Sequence, residues 1–382
     1  MIFKRLVVFA AFIVSLLAGY LLLQLIANSI EVSQLSAKLR SQFSYFEPDL
    51  LATLSEKKAQ VRERAALYDY LLRQDHLVDG MVVNRNMLGQ VTSVCDSLLF
   101  SSLRFVGLKK LGHQEQANEA WRAIERSQRS GHWQRHPRCA AQSTSRDMIV
   151  GVLAALTQKP QNHRLHLSNL MSFVERNKGF ISHGPFHVSL LTPGLAEIIR
   201  VMVKEEKLAA KGLPANIQYG FSTLEFDTIM SARGYTSHLN ALVIWIELEM
   251  LRSYMTEDAK RSFRSLASLL HPLTDSLLSS SIKEQRLQWL TQRLARLDQE
   301  NVFFRYLQLK AAGALTPKAE LNILEQILTM KQFPPNRLPT TCERKADYLW
   351  QRDSIEYQAR DYESCHEIFS GVDFIWMAAL LQ

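Results

Sequence analysis

The sequence predicts an all-α protein, with a membrane-crossing helix at its N-terminus and a two-layer ring of helical hairpins after it. Three observations lead there. An uncharged apolar run covers Leu6 to Ile26. Apolar residues elsewhere recur at helical rather than strand-like spacing. Breakers such as Gly and Pro interrupt that pattern at regular intervals.

About 20 apolar residues at 1.5 Å rise span a hydrocarbon core, so the run is long enough to cross. Lys4 and Arg5 precede it, and a basic flank stays on the cytoplasmic side. A cleaved signal peptide is the competing reading, but its apolar core is shorter, about 7–15 residues. Only the stretch around Ala27-Asn28-Ser29 approaches a cleavage site. The expected organisation is a cytoplasmic stub and anchor over residues 1–31 and an exported helical domain over 32–382. This places the protein in the inner (cell) membrane, single-pass, with its domain in the periplasm or outside the cell.

Hydrophobic residues make up 47% of the 382, enough to build a substantial core and too many for a disordered chain. The formal charge of +8 includes Lys4 and Arg5. No polybasic block or nucleic-acid motif accompanies it, so no nucleic-acid partner is expected. An anionic glycan or lipid surface is compatible with that charge without being demanded by it.

Four cysteines, Cys95, Cys139, Cys342 and Cys365, all fall after the apolar run. None forms a C-x-x-C pair of the kind that zinc or redox chemistry uses. Their even number in an exported domain predicts two disulfides. Three pairings are open; Cys95–Cys139 and Cys342–Cys365 are favoured because each closes a moderate loop. Four buried free thiols are the alternative.

Helices are expected from Pro48 to Gln74, Asp96 to Leu111, Gln114 to Gln128, Arg146 to Leu156 and Asn162 to Arg176. The first carries a charged face of Glu56, Lys57, Lys58, Arg62 and Arg64, and a loop from Asp79 to Gln90 follows it, with Asp79-Gly80 reading as a turn. Thr192-Pro193 can start another helix, through Lys204, with Thr as N-cap and Pro at N1. An apolar helix from His238 to Met255 follows, then amphipathic helices to Leu297, then Asn301 to Ala312, Pro317 to Met330 and Gly371 to Leu381. Apolar members alternate with amphipathic ones, and about six are apolar. That alternation is what a two-layer (α/α) toroid requires, since inner helices are covered on nearly all sides. An open α-solenoid of stacked helix pairs is the alternative.

Three apolar helices open with the same grammar, a hydroxyl residue followed three positions later by Asp: Ser93 and Asp96, Thr144 and Asp147, Ser370 and Asp373. Ser237 and Asn240 make a fourth, related start. This is the pattern of a capping box, in which each side chain covers a backbone N–H of the first turn. In a ring of parallel inner helices the same residues would also line one mouth. Trp133, Arg135 and His136 precede the second start, Arg146 lies within it, and Tyr235, His238 and Asn240 belong to the fourth. An aromatic face, donors and carboxylates together suit a polar substrate.

The run Cys95 to Phe100, the Gly131 to Pro137 loop, Ser145-Arg146-Asp147 and Ser370 to Phe374 resemble the inner-helix entrances of six-hairpin, (α/α)-toroid carbohydrate-active enzymes. The resemblance is architectural and implies a glycan in a central cleft. It implies a glycoside hydrolase-like or polysaccharide lyase-like protein acting on an envelope or extracellular polysaccharide. Asp147 and Asp373 would serve as general acid and base, and Asp96 would position substrate or water. The glutamate common as general acid in such enzymes is missing from these entrances, which keeps a noncatalytic glycan-binding or assembly-partner protein as the second reading. No cofactor is expected. The histidine pairs His132/His136 and His163/His166 lack an acidic or Cys partner in register, so no metal is expected either.

Overall fold

In the computed structural model of the chain, the described residues are 49–139, 144–183, 188–190, 235–254, 280–340 and 367–382, with parts of 30–42 and 195–208 and residue 228. The helices are α1 (Leu50–Asp75), α2 (Ser97–Lys110), α3 (Gln114–Glu125), α4 (Arg146–Leu156) and α5 (His163–Arg176). They continue with α6 (Tyr235–Tyr254), α7 (Ser280–Leu297), α8 (Val302–Ala311), α9 (Pro317–Thr329) and α10 (Val372–Leu380). The expected spans match these to within a turn.

Spacing explains which helix lies where. α1 buries Leu54, Val61, Ala65, Tyr68 and Leu72, one stripe of a long helix, and leaves Glu56 and Arg62 outside. α2, α4 and α10 are buried on nearly every side. Their polar members are satisfied locally where the helix allows it: Ser101 and Ser102 of α2 donate back to the Ser97 and Leu98 carbonyls. Arg104, 2% exposed, pairs with Asp69 of α1 at 2.7 Å.

The short strands escape the sequence because two to four residues cannot display an alternating pattern. β1 (Leu77–Val78) and β2 (Met81–Val82) pair around Asp79-Gly80, both at positive φ. β3 (Asn84–Asn86) lies between β4 (Val91–Ser93) and, from the far end of the chain, a two-residue strand at Glu367–Ile368. β5 (Gln128–Arg129) and β6 (His132–Trp133) repeat the first hairpin around Ser130-Gly131, again both at positive φ. Two-residue turns of this kind match the twist of the flanking strands. α1 and α3 thus each run into the same device.

The structure corrects two of the expectations. Among the described residues no helix is long and apolar enough to cross a membrane. This overturns the expected single-pass anchor and the inner-membrane placement, with its periplasmic or extracellular domain; the run 6–26 and the boundary at 31 lie outside the described residues. The longest apolar helix described after it, α6, carries Glu247, Glu249 and Arg252. Its apolarity comes from enclosure by protein. Nor does the structure identify an (α/α) toroid: it describes a mostly helical domain with antiparallel hairpins threaded between helices. An open stack is also excluded, because α10, the last helix, packs against α1 and α2.

Helix direction positions the site. Lys110 ends α2, Thr157 follows α4 and Met250 lies in the last part of α6, and all three line one pocket. The three helices therefore run the same way and their N-terminal ends gather at the opposite end. Gly151 of α4 sits directly on Leu99 of α2, where an added Cβ would lie 2.9 Å from the Leu99 Cα. Asp147 and Asp96 fall within about one turn before that contact.

Two features hold the loops over this end. Cys95 and Cys139 form a disulfide with Cα atoms 5.8 Å apart, closing the 44-residue separation between the start of α2 and the approach to α4. Cys342 and Cys365 lie outside the described residues. Gly131 docks its hairpin on α5, where a Cβ would come 2.3 Å from the Asn169 carbonyl oxygen.

Replacing both Cys95 and Cys139 by Ser is expected to cost about 2–4 kcal/mol, because the loop closed in the unfolded chain is long. Gly131→Ala, which adds a clash to a positive φ, is expected to cost more than about 1 kcal/mol. Urea denaturation followed by circular dichroism measures both, and an unchanged midpoint for Gly131→Ala would contradict the docking described.

Candidate functional site

The site region is the layer of loops and helix starts at the N-terminal ends of α2, α4 and α6. The residue types that form capping boxes are present there, but the boxes are not made. Asp96 is itself the N-cap of α2, Ser145 that of α4, and neither makes a side-chain cap bond. Ser93 lies in β4 and pairs with Asn84. Gly371, at φ +71°, takes the N-cap of α10. The ends that are capped through side chains lie elsewhere: Asn301 accepts from Phe303 and Phe304 N–H, and Thr316 from Ala319 N–H.

The three aspartates have separate environments. Asp96, 44% exposed, accepts from Arg135 Nη1 at 2.9 Å, and the same guanidinium nitrogen donates to the Cys95 carbonyl. Asp147 is nine-tenths buried in the first turn of α4. Its carboxylate has no hydrogen-bonding or ionic partner among the described residues. Asp373 is also buried, beside Tyr68, whose hydroxyl donates to the Pro334 carbonyl at 2.6 Å.

Depth separates Asp373 from Asp96. β4 and the strand at Glu367–Ile368 are both antiparallel to β3, so α2 and α10 leave that sheet in the same direction. Gly107 of α2 lies against Ile375, so Asp373 is level with about Phe105. At 1.5 Å per residue that is roughly 13 Å further along the axis than Asp96. Carboxyls that serve one glycosidic bond lie within about 9.5 Å.

Several expected ligand contacts turn out to be struts. Trp133 is fully buried, its ring 6.4 Å from Trp121 and 5.5 Å from His166, and no face is open for stacking. His136, also fully buried, sits with Nε2 3.2 Å from the Val78 carbonyl oxygen and accepts the Arg138 N–H on Nδ1. His238 packs edge-on against Phe304 and lies 3.3 Å from Asn301 Nδ2. Arg146 is exposed at the start of α4. Tyr235 begins α6, and its side chain lies outside the described residues.

Asp79 forms the turn that its neighbour Gly80 implies, and it has a second role. Arg138 grips its carboxylate with both Nε and Nη2, at 2.6 and 2.7 Å, and Arg126 donates to its carbonyl. This fork ties the first hairpin to the loop that carries the disulfide. Hydrogen bonds from Arg138 hold the Asp79 carboxyl below its ordinary range.

Some unsatisfied polar atoms lie at the helix starts. Thr144 Oγ1, Ser145 Oγ and Asn240 Nδ2 are buried without a partner among the described residues. Buried polar atoms are nearly always hydrogen-bonded, so a group of them marks a place where bonds are still to be made. With Asp147 the set offers a carboxylate acceptor, an amide donor and two hydroxyls that act either way. Among the described residues no cluster of three or more His, Cys, Asp or Glu is arranged to hold a metal ion. His163 and His166 instead contact Glu206 and Glu125.

No protein-family model matches the chain, and no curated protein is significantly similar to it.

Arg138→Gln is expected to raise the pKa of Asp79 toward the ordinary carboxylate value. The paired Asp79 stabilises the fold at neutral pH and loses that contribution as pH falls through its depressed pKa. The variant should accordingly show a flatter stability curve below about pH 4. Carboxyl carbon NMR titration of both proteins checks it; an unchanged Asp79 titration would contradict the assignment.

Proposed function

We propose that the chain binds a glycan at the gathered starts of α4 and α6. The observation that carries this reading is the set of buried, unpartnered polar atoms of Thr144, Ser145 and Asn240, with the carboxylate of Asp147, which also has no partner among the described residues, beside them. A sugar ring presents alternating donors and acceptors on neighbouring carbons, and a mixed set of this kind complements hydroxyl groups better than it does an anion. Arg146 and Arg135 stand at the edge of the same region, where they would favour an acidic sugar over a neutral one. Stacking on Trp133 plays no part.

A processing activity is the second reading, favoured by Asp147 alone. A carboxylate left without an ion-pair partner is available for acid and base work on a bound substrate. The engagement of Asp96 by Arg135 leaves that carboxylate less free to position substrate or water, which favours binding over processing.

The test is binding of the full chain to a panel of neutral and uronic polysaccharides by affinity electrophoresis, with product release assayed in parallel. Wild-type retardation by at least one uronic polymer is expected. Asp147→Asn and Asn240→Ala should each weaken it about tenfold or more, the loss of one buried hydrogen bond to a ligand. Product release that disappears in Asp147→Asn would establish the processing reading instead. Failure of every polysaccharide to retard a folded wild-type chain would refute both.

A further inference from the structure

The opposite end of the same helices holds a pocket of about 220 Å³ that the glycan reading does not use. Its floor is apolar, built from Leu156, Leu167, Met202 and Met250. Its rim carries Lys110, Lys159, Glu206 and Glu249.

Both glutamates on that rim are already paired. Glu249 takes Lys110 at 2.8 Å on one oxygen and Lys310 on the other. Burial alone would raise its carboxyl, and the two ammoniums outweigh that, so it stays charged at neutral pH. Glu206 takes Lys159 at 3.2 Å on one oxygen and His163 at 3.1 Å on the other, with Arg164 close behind. Helix C-terminal carbonyls would ordinarily supply further acceptors. Here the chain covers them: Gly112 and His113 N–H donate to the Lys109 and Leu108 carbonyls, and Gln158 and Lys159 N–H to those of Ala155 and Leu156.

Donors are left over. An ammonium has three N–H groups, and Lys110 and Lys159 each spend one on a glutamate. Lys110 and Lys159 line the pocket with Glu206 and Glu249, and Lys310 and Arg164 reach the same two carboxylates from outside its lining. The space therefore combines an apolar floor with two lysines whose N–H donors are not all spent on the glutamates.

We infer that this pocket binds a small organic anion, a carboxylate or phosphate head on a short apolar body. The head sits between Lys110 and Lys159, and the body lies on Met202 and Met250. The ligand adds to the charges already paired there and replaces none of them.

Isothermal titration of the full chain with hexanoate, hexyl phosphate, inorganic phosphate and the neutral hexanamide tests this. Hexanoate or hexyl phosphate is expected to bind at least about tenfold more tightly than hexanamide, one charge-assisted hydrogen bond's worth. Whichever of the two binds more tightly identifies the head group. Lys159→Gln should weaken that binding about tenfold; its side chain is 60% exposed, so the variant keeps the fold. Met250→Ser should weaken the hexyl ligands and leave inorganic phosphate unchanged. The inference is overturned if neither hexyl anion binds, if hexanamide binds equally well, if inorganic phosphate matches the hexyl ligands, or if Lys159→Gln leaves the affinity unchanged.

Discussion

The arrangement depends on the burial of α10 against helices from the rest of the chain. Trp376 meets Trp245 of α6 with ring centroids 4.6 Å apart and Phe303 of α8 at 6.2 Å, while Phe374 meets Tyr68 of α1 and Phe333. These contacts join segments remote in sequence, and they remove some of the largest apolar side chains from water. Aromatic burial of this kind dominates core energetics. Because α10 also lies directly on Gly107 of α2, helices from both ends of the described chain are committed to one core.

From that packing follows the polarity of the domain. α2, α4 and α6 run in the same direction, so their starts collect at one end and their ends at the other. The two ends differ chemically for that reason. The starts carry Asp147, Asn240 and hydroxyls with bonds still to be made, under loops held by the disulfide and by the Asp79–Arg138 fork. The other end carries Lys110, Lys159 and two paired glutamates around an apolar floor. One set of parallel helices thus offers a hydroxyl-matching region and a donor-rich pocket.

Much of the secondary structure is legible in the sequence. Helix spans such as Arg146–Leu156 come from a dense apolar run bounded by a polar start and a polar stop. The Cys95–Cys139 pairing that loop length favours is the one bonded. The site is less legible. Trp133, Arg135 and His136 stand together in the sequence like a sugar-binding group, yet Trp133 and His136 point into the core and only Arg135 reaches a proposed site residue, Asp96. A loop residue's neighbours in the chain do not reveal which way its side chain is turned. The toroid reading fails for a related reason: apolar composition shows that a helix is covered and does not say by which neighbours.

By itself the sequence determined where the helices lie and which faces they hide, because spacing of apolar residues is a local property that each segment carries alone. It also determined the turn at Asp79-Gly80, whose backbone angles favour those residues. Tertiary structure alone decided that Asp147 has no partner among the described residues, that Arg135 takes Asp96, and that Asp373 lies deeper along the helices than Asp96. Those outcomes depend on distances between segments brought together by burial of α10, and no local pattern encodes a distance between remote segments.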